Sequence, residues 1–207
     1  MIYELALVAK PESSEDQVKS LTDLVNSVVT EFKGEILLTD DWGKLQFAQP
    51  TKSGGVAGRF IYFIYKSNDE GTGRELQRRF GINELVLRNM TIKLGEDAKQ
   101  EEILKAYKCP YSKSNNGSVV DEGDDKEGVK ERRRFAKRRT CWFTAKEIRA
   151  DWKDPKTFGW LINEFGKISP ARVSGISRKH QRFADAAIKQ ARNIGIASYV
   201  SNRFAAE

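Results

Sequence analysis

"RFIYFIYK", Arg59 to Lys66, is the stretch on which the fold turns. Six apolar or aromatic residues stand between two basic ones, in a run rich in strand formers and too short for a buried helix. Alternate side chains of a strand point to opposite faces. Phe60, Tyr62 and Ile64 therefore share one face, and Ile61, Phe63 and Tyr65 the other. A strand apolar on both parities is covered on both faces. One face goes to helices; the other calls for a second cover.

The segments around this strand supply the rest of a small sheet. "IYELALVA" (2–9) is a short buried strand. "PESSEDQ" (11–17) predicts a helix start, with Ser14 and Gln17 as a capping box. Val18, Leu21, Val25, Val28 and Phe32 follow at helical spacing, widened by Leu24 and Val29, and Gly34 is the expected stop. "EILLTDDWGKLQFAQ" (35–49) reads as a long strand with a bulge at Gly43. Thr72 and Glu75 predict a second capping box and a helix ending near Gly81, and "LVLRNMTIKL" (85–94) a fourth strand. The order β-α-β-β-α-β over residues 1–95 is the split-βαβ arrangement, an α+β fold of ferredoxin-like type.

Charge divides the chain further. Residues 1–95 hold 12 basic and 13 acidic side chains, residues 96–128 hold 5 and 9, and residues 129–207 hold 19 and 7. A ferredoxin-like domain (1–95), an acidic flexible linker (96–128) and a small, mainly helical basic module (129–207) are expected. In that module Asp154 and Pro155 predict the start of a helix burying Phe158, Leu161, Ile162 and Phe165. A last helix is expected from Ser177 to Asn193, with Phe183, Ala184, Ala187, Ala191 and Ile194 on its core side and Arg178, Arg182, Lys189 and Arg192 opposite. Trp142, Phe143 and Trp152 are more aromatic surface than so small a module buries. They are expected to dock on the first domain, at its open sheet face or at a sheet edge, with Phe60 and Tyr62 as the candidate contacts.

Several chemistries lack their residues. No stretch approaches the ~18–20 apolar residues of a membrane span, and the amino terminus has no signal-peptide pattern, so an unprocessed intracellular chain without a membrane partner is expected. Cys109 and Cys141 read as free thiols. His180 is the only histidine and sits among Arg178, Lys179 and Arg182, which suits a surface or RNA-contacting residue better than a catalytic base. Asp40 and Asp41 read as solvated turn carboxylates. No catalytic residues, metal or cofactor are expected. Polyanion chemistry is abundant: Arg132, Arg133, Arg134, Lys137, Arg138 and Arg139 form a basic run, and Lys167, Arg172, Arg178, Lys179, Gln181, Arg182, Lys189 and Arg192 decorate a loop and the last helix. Arginine forks grip phosphate oxygens and stack on bases. With no recognisable helix-turn-helix or zinc finger, RNA is the expected partner rather than DNA.

The first module resembles bacterial small-subunit ribosomal protein six through "YELALVAKP", "DWGKLQFAQP", "FIYFIYK" and "NELVLRNMTIK". The second resembles small-subunit ribosomal protein eighteen through "RRTCWFTA", "DWKDPKTFGWLINEFGKISPARVSGISRKHQR" and "AAIKQARNIGIASYV", about residues 132–201. The resemblance implies a cytoplasmic ribosomal protein that binds the central domain of small-subunit ribosomal RNA beside neighbouring ribosomal proteins. Members of the two families are separate chains that pair as a heterodimer; here both lie in one chain. Some members of the second family carry extra cysteines that suggest zinc, and the lone Cys141 implies none. Two rivals share the β-α-β-β-α-β order: an RNA-recognition-motif-like binder or translational repressor, and a small phosphate-hydrolysing enzyme. "AGRFIYFIY" departs from the aromatic motif of the first, and the acidic "KPESSED" from the phosphate loop of the second.

Overall fold

The computed structural model describes residues 1–51, 55–69, 71–96, 100–111 and 141–200. Strands β1 (Ile2–Ala9), β2 (Glu35–Gln46), β3 (Ala57–Lys66) and β4 (Val86–Gly95) form an antiparallel sheet in the order β2-β3-β1-β4. Helices α1 (Glu15–Glu31) and α2 (Gly71–Ile82) make the two crossovers. This is the ferredoxin-like arrangement the sequence predicts. Helix α3 (Gln100–Ala106) follows, and residues 141–200 contribute α4 (Trp142–Ala145), α5 (Ala171–Ser174) and α6 (Arg178–Ile194). None of the helices among the described residues is long and apolar enough to cross a membrane.

Local chemistry sets the element ends. The Ser14–Gln17 capping box forms, with Gln17 N donating to Ser14 Oγ and Ser14 N to Gln17 Oε1. Gly34 does not end α1; the helix stops at Phe32, and Lys33 takes the left-handed turn at φ 55°. The second capping box does not form. Thr72 lies inside α2, its hydroxyl bonded to Ser67 Oγ and Asp69 O, and Glu75 is held instead by Arg78 and Arg79. The bulge is present: the β2–β3 register slips between Asp41 and Gly43, and Gly43 adopts φ 79° while donating to Asp41 Oδ1. Trp42 is the extra residue of the bulge.

Strand parity decides the layering. Leu5, Leu7, Ile61, Phe63 and Tyr65 pack with α1 and α2 residues such as Leu21, Val25 and Phe80. Ile2, Ala6, Val8, Phe60, Tyr62 and Ile64 belong to a second cluster with Phe143, Trp152, Phe158, Leu161, Ala184, Ile188 and Ala191. The cover on the second face is thus the chain's own residues 141–200. Residues 100–111, expected as the start of a flexible linker, are instead packed there too. Tyr107 stacks on Tyr62 at 4.9 Å and accepts from Trp42 Nε1 while donating to Asp40, so Asp40 is not a solvated turn carboxylate. Asp41 pairs with Arg59 at 2.6 Å.

In the middle of this apolar face sits Glu4, only 2% exposed. Its carboxylate accepts from Tyr62 Oη at 2.6 Å, Trp152 Nε1 at 2.8 Å and Lys153 Nζ at 3.1 Å. One donor comes from the sheet and two from the second part of the chain. At one end of the sheet, just past β2, Ala48 N donates to Gly195 O, and a Cβ at Gly195 would lie 2.8 Å from Phe47. Only glycine allows that approach, at φ 95°.

The helix expected from Asp154 is two 3₁₀ turns, Pro155–Thr157 and Gly159–Leu161. Asp154 still caps, accepting from Lys156 N, and Phe158 and Leu161 are still buried. Phe165 is 67% exposed, because the chain has left the helical path by then. The last helix matches its expected span within a residue at each end, with Ser177 as its N-cap.

Two predictions follow from this packing. Glu4→Ala leaves two buried donors and a part-buried cation without their acceptor. It is expected to lower the unfolding free energy by about 3–5 kcal/mol, measured by urea denaturation; a loss below about 1 kcal/mol would mean the carboxylate contributes no more than a surface pair. The second concerns alkali. Burial, first of all, pushes the hydroxyls of Tyr62, Tyr65 and Tyr107 well above the usual tyrosine range and Tyr111 up to about 12. The folded chain then keeps protons that the unfolded chain releases near pH 10, about the ordinary tyrosine value. Stability from these groups is intact below that pH and is lost progressively as pH rises above it toward the folded-state values. The urea midpoint should fall once pH passes about 10.

Candidate nucleic-acid interface

The candidate interface gathers around the start of α6. Ser177 Oγ accepts from His180 N at 3.3 Å, fixing the first turn. Arg178, Lys179 and Arg182 leave this turn exposed to solvent. Just before it, residues 162–168 form a tight hairpin closed by an Ile162–Ile168 bridge. Asn163 Oδ1 accepts from the amides of Phe165 and Lys167, and Asn163 N donates to Lys167 O at 2.8 Å. The exposed Lys167 therefore rides on a braced tip. Arg172 is exposed on α5. Gln181 is half-buried, and its Nε2 donates to Ser169 O at 3.1 Å, tying the hairpin's exit to the helix. Arg178, Lys179 and Arg182 thus share the helix start, with Gln181 tying the hairpin's exit to it, while Gly166, next to Lys167, is held by Arg192 toward the other end of α6.

At the helix start, His180 is half-buried. Its Nδ1 lies 3.1 Å from both Cys141 Sγ and Ser177 Oγ, and its ring is 5.5 Å from Phe143. Ser177 N donates to Cys141 Sγ at 3.3 Å. Burial pushes the Cys141 thiol up, but donors from the Ser177 and Thr144 backbone and from His180 outweigh it and hold the thiol at about 6. Among the described residues no three His, Cys, Asp or Glu side chains converge as a metal set.

The far half of α6 departs from the expected basic stripe. Lys189 pairs with Asp185 at 2.6 Å. Arg192 curls past the helix end, donating from Nε to Ser198 O at 3.0 Å and from Nη2 to Gly166 O. Phe183, expected on the core side, is 37% exposed under Arg149, whose guanidinium carbon is 4.4 Å from its ring centre. Arg132, Arg133, Arg134, Lys137, Arg138 and Arg139 lie outside the described residues.

The five expected interface aromatics fall into one cluster. Trp152 lies 6.4 Å from Tyr62 and 5.9 Å from Trp42, and Trp42 stacks on Phe60 and Tyr62. Phe143 is buried, with the half-buried Trp142 edge-on at 5.1 Å. Residues not singled out in the sequence complete the contact: Glu4, Trp42, Arg88, Tyr107 and Tyr111. Glu4 carried a signal, being an acid on the inward parity of an apolar strand; Arg88 and Tyr107 carried none.

Two families describe the two parts of this chain. The model of Ribosomal protein S6 matches residues 2–93, and that of Ribosomal protein S18 matches residues 146–197. Small ribosomal subunit protein bS18 of Geotalea uraniireducens is 47% identical over 70 residues, spanning 33% of this chain and 77% of that protein. Small ribosomal subunit protein bS6 of Geobacter sulfurreducens is 34% identical over 97 residues, spanning 47% and 81%. The bS6 protein of Trichlorobacter lovleyi is 30% identical over 113 residues, spanning 52% and 91%. Relatives of both kinds are covered over most of their own length, and the chain belongs to the ribosomal protein S6 family through its first part and to the ribosomal protein S18 family through its last.

Proposed function

We propose that this protein is a structural component of the small ribosomal subunit that binds the central domain of small-subunit ribosomal RNA. Its two parts act together as an intramolecular equivalent of a protein six–protein eighteen pair, in the cytoplasm, beside neighbouring small-subunit proteins. The observation that carries the reading is the single apolar cluster joining the sheet to residues 141–200, locked at Glu4, with an exposed cationic group at the start of α6. The neutral part seats the basic part, and the basic part meets the polyanion.

The same packing weighs against an RNA-recognition-motif reading. Such modules stack bases on the open face of the sheet, and here Phe60 and Tyr62 are each 1% exposed beneath the second part of the chain. A structural role is favoured over a phosphate-hydrolysing one by both families. Cross-linking in cells followed by sequencing of the attached RNA tests the proposal: central-domain ribosomal RNA is expected, and messenger RNA alone would replace the ribosomal reading with that of a translational repressor.

A division of labour is expected between helix and basic run. Each Lys or Arg neutralising a phosphate contributes about 0.7–0.9 to the slope of log affinity against log salt. Replacing Arg132, Arg133 and Arg134 with Ala should flatten the slope by roughly 2–3 and weaken all RNAs alike. Replacing Lys179 and Arg182 with Ala should weaken the structured ribosomal target more than random RNA, because Ser177 and the core face of α6 hold those side chains in one geometry. Filter-binding titrations over a salt series measure both; a helix variant that loses both RNAs equally would count against the division.

A further inference from the structure

The carboxyl end of α6 carries a second cationic feature, built by both parts of the chain. A helix end leaves its last carbonyls without intrahelical partners and bears partial negative charge, which repels anions. Here Arg88 of β4 donates from Nη1 to Asn193 O at 3.1 Å and to Arg192 O at 3.4 Å. Arg192 crosses the same end through its bonds to Ser198 O and Gly166 O. Two guanidinium groups thus overlie a terminus that would otherwise be electronegative. Among the described residues, Nε and Nη2 of Arg88 and Nη1 of Arg192 have no protein partner.

Beside these groups lies a cavity of about 200 Å³ whose walls include Arg88, Arg192, Gln49, Gly195 and Tyr199. Tyr199 N donates to Gln49 Oε1 at 3.2 Å, so the walls from the two parts are tied together. The Tyr199 hydroxyl donates to Asn193 Oδ1 at 3.0 Å, and the Arg192 guanidinium carbon stands 5.4 Å from the ring centre. The ring is held at two points, yet Tyr199 remains 54% exposed. A fixed, exposed aromatic ring beside the open Nε–Nη2 fork of Arg88 and the free Nη1 of Arg192 is the equipment for one nucleotide: a ring face for the base, N–H donors for the phosphate.

We infer that this cleft takes a single unpaired nucleotide of an RNA strand, its base stacked on Tyr199 and its phosphate against Arg88 and Arg192. The inference rests on the RNA-binding reading and adds to it a contact roughly 25 Å along α6 from Arg178, at 1.5 Å rise per residue. The cavity is smaller than the ~300–1,000 Å³ of a typical small-molecule pocket. A free nucleotide would be left largely uncovered, whereas one unit of a polymer is also held through its neighbours. A base within a duplex keeps its faces stacked and cannot enter.

The test uses the full chain, titrated with uridine and adenosine hexanucleotides, a blunt RNA duplex and uridine monophosphate, and followed by anisotropy or by NMR of the arginine Nε–H resonances. Tyr199→Ala should weaken the hexanucleotides on the order of tenfold and leave the duplex unchanged, and Tyr199→Phe should restore hexanucleotide binding. Should the Ala variant fail to fold, Tyr199→Leu keeps apolar bulk over Arg192 without a ring and serves the same comparison. Unchanged hexanucleotide affinity in the ring-less variant, an equal loss for duplex, or uridine monophosphate binding as tightly as the hexanucleotides would overturn the inference. The Lys179→Ala, Arg182→Ala variant separates the two readings. If it loses structured RNA while Tyr199→Ala changes nothing, the cleft assignment fails and the RNA-binding reading stands; if neither of these variants nor the Arg132→Ala, Arg133→Ala, Arg134→Ala variant alters RNA binding, both fail.

Discussion

A carboxylate in the middle of an apolar sheet face is the constraint around which the two parts of this protein are arranged. Removing such a group from water costs several kcal/mol, and only complete pairing offsets it. Glu4 obtains that pairing from Tyr62 on the adjacent strand and from Trp152 and Lys153 of the second part. Apolar contact alone tolerates small rotations and slips of one layer over another. Three donors converging on two oxygens do not. The aromatic cluster supplies most of the affinity between the parts, and Glu4 selects the orientation in which that affinity is realised.

Orientation then reaches the cationic surface. Phe158 and Leu161 are buried in the same cluster as Ala184, Ile188 and Ala191 of α6. The braced hairpin that carries Lys167 follows directly from Leu161, and Gln181 ties its exit to α6. The seat on the sheet therefore fixes the side chains that leave the first turn of α6. At the other end of the helix, Arg88 and Gly195 bring the sheet edge against the terminal carbonyls. The near-neutral part of the chain thus shapes both ends of the basic helix while contributing little charge of its own.

The parts of this architecture that were legible in the sequence are those where one physical period dominates. The double apolar parity of residues 60–65 forecast a sheet covered twice, and the Ser14–Gln17 spacing forecast a cap that forms. Failures occurred where two structures share a pattern. Phe158 and Leu161 are three residues apart, a spacing that suits a 3₁₀ turn as well as an α-helix, so burial there could not distinguish them. Arg192 was placed by its helical angle, which gives the direction of Cβ but not the path of a long side chain beyond the last turn. Thr72 has the right spacing to Glu75, but its hydroxyl is taken by Ser67 and Asp69. Tyr107 and Tyr111 lay in an acidic, polar stretch whose composition says nothing of the aromatic surface waiting for them.

The stack around Tyr62 has an optical consequence. Trp42, Tyr107 and Trp152 lie within 4.9–6.4 Å of its ring, and two of the three come from outside the sheet. Aromatic rings fixed at such separations couple their transitions, and a near-ultraviolet dichroism signal survives only while side-chain packing is unique. Tyr65, stacked on Tyr3 on the opposite face, belongs to the other layer. The bands of Trp42 and Trp152 therefore register the seating of one part on the other, whereas backbone bands register the sheet and helices themselves. Undocking and unfolding therefore fall in separate regions of one spectrum.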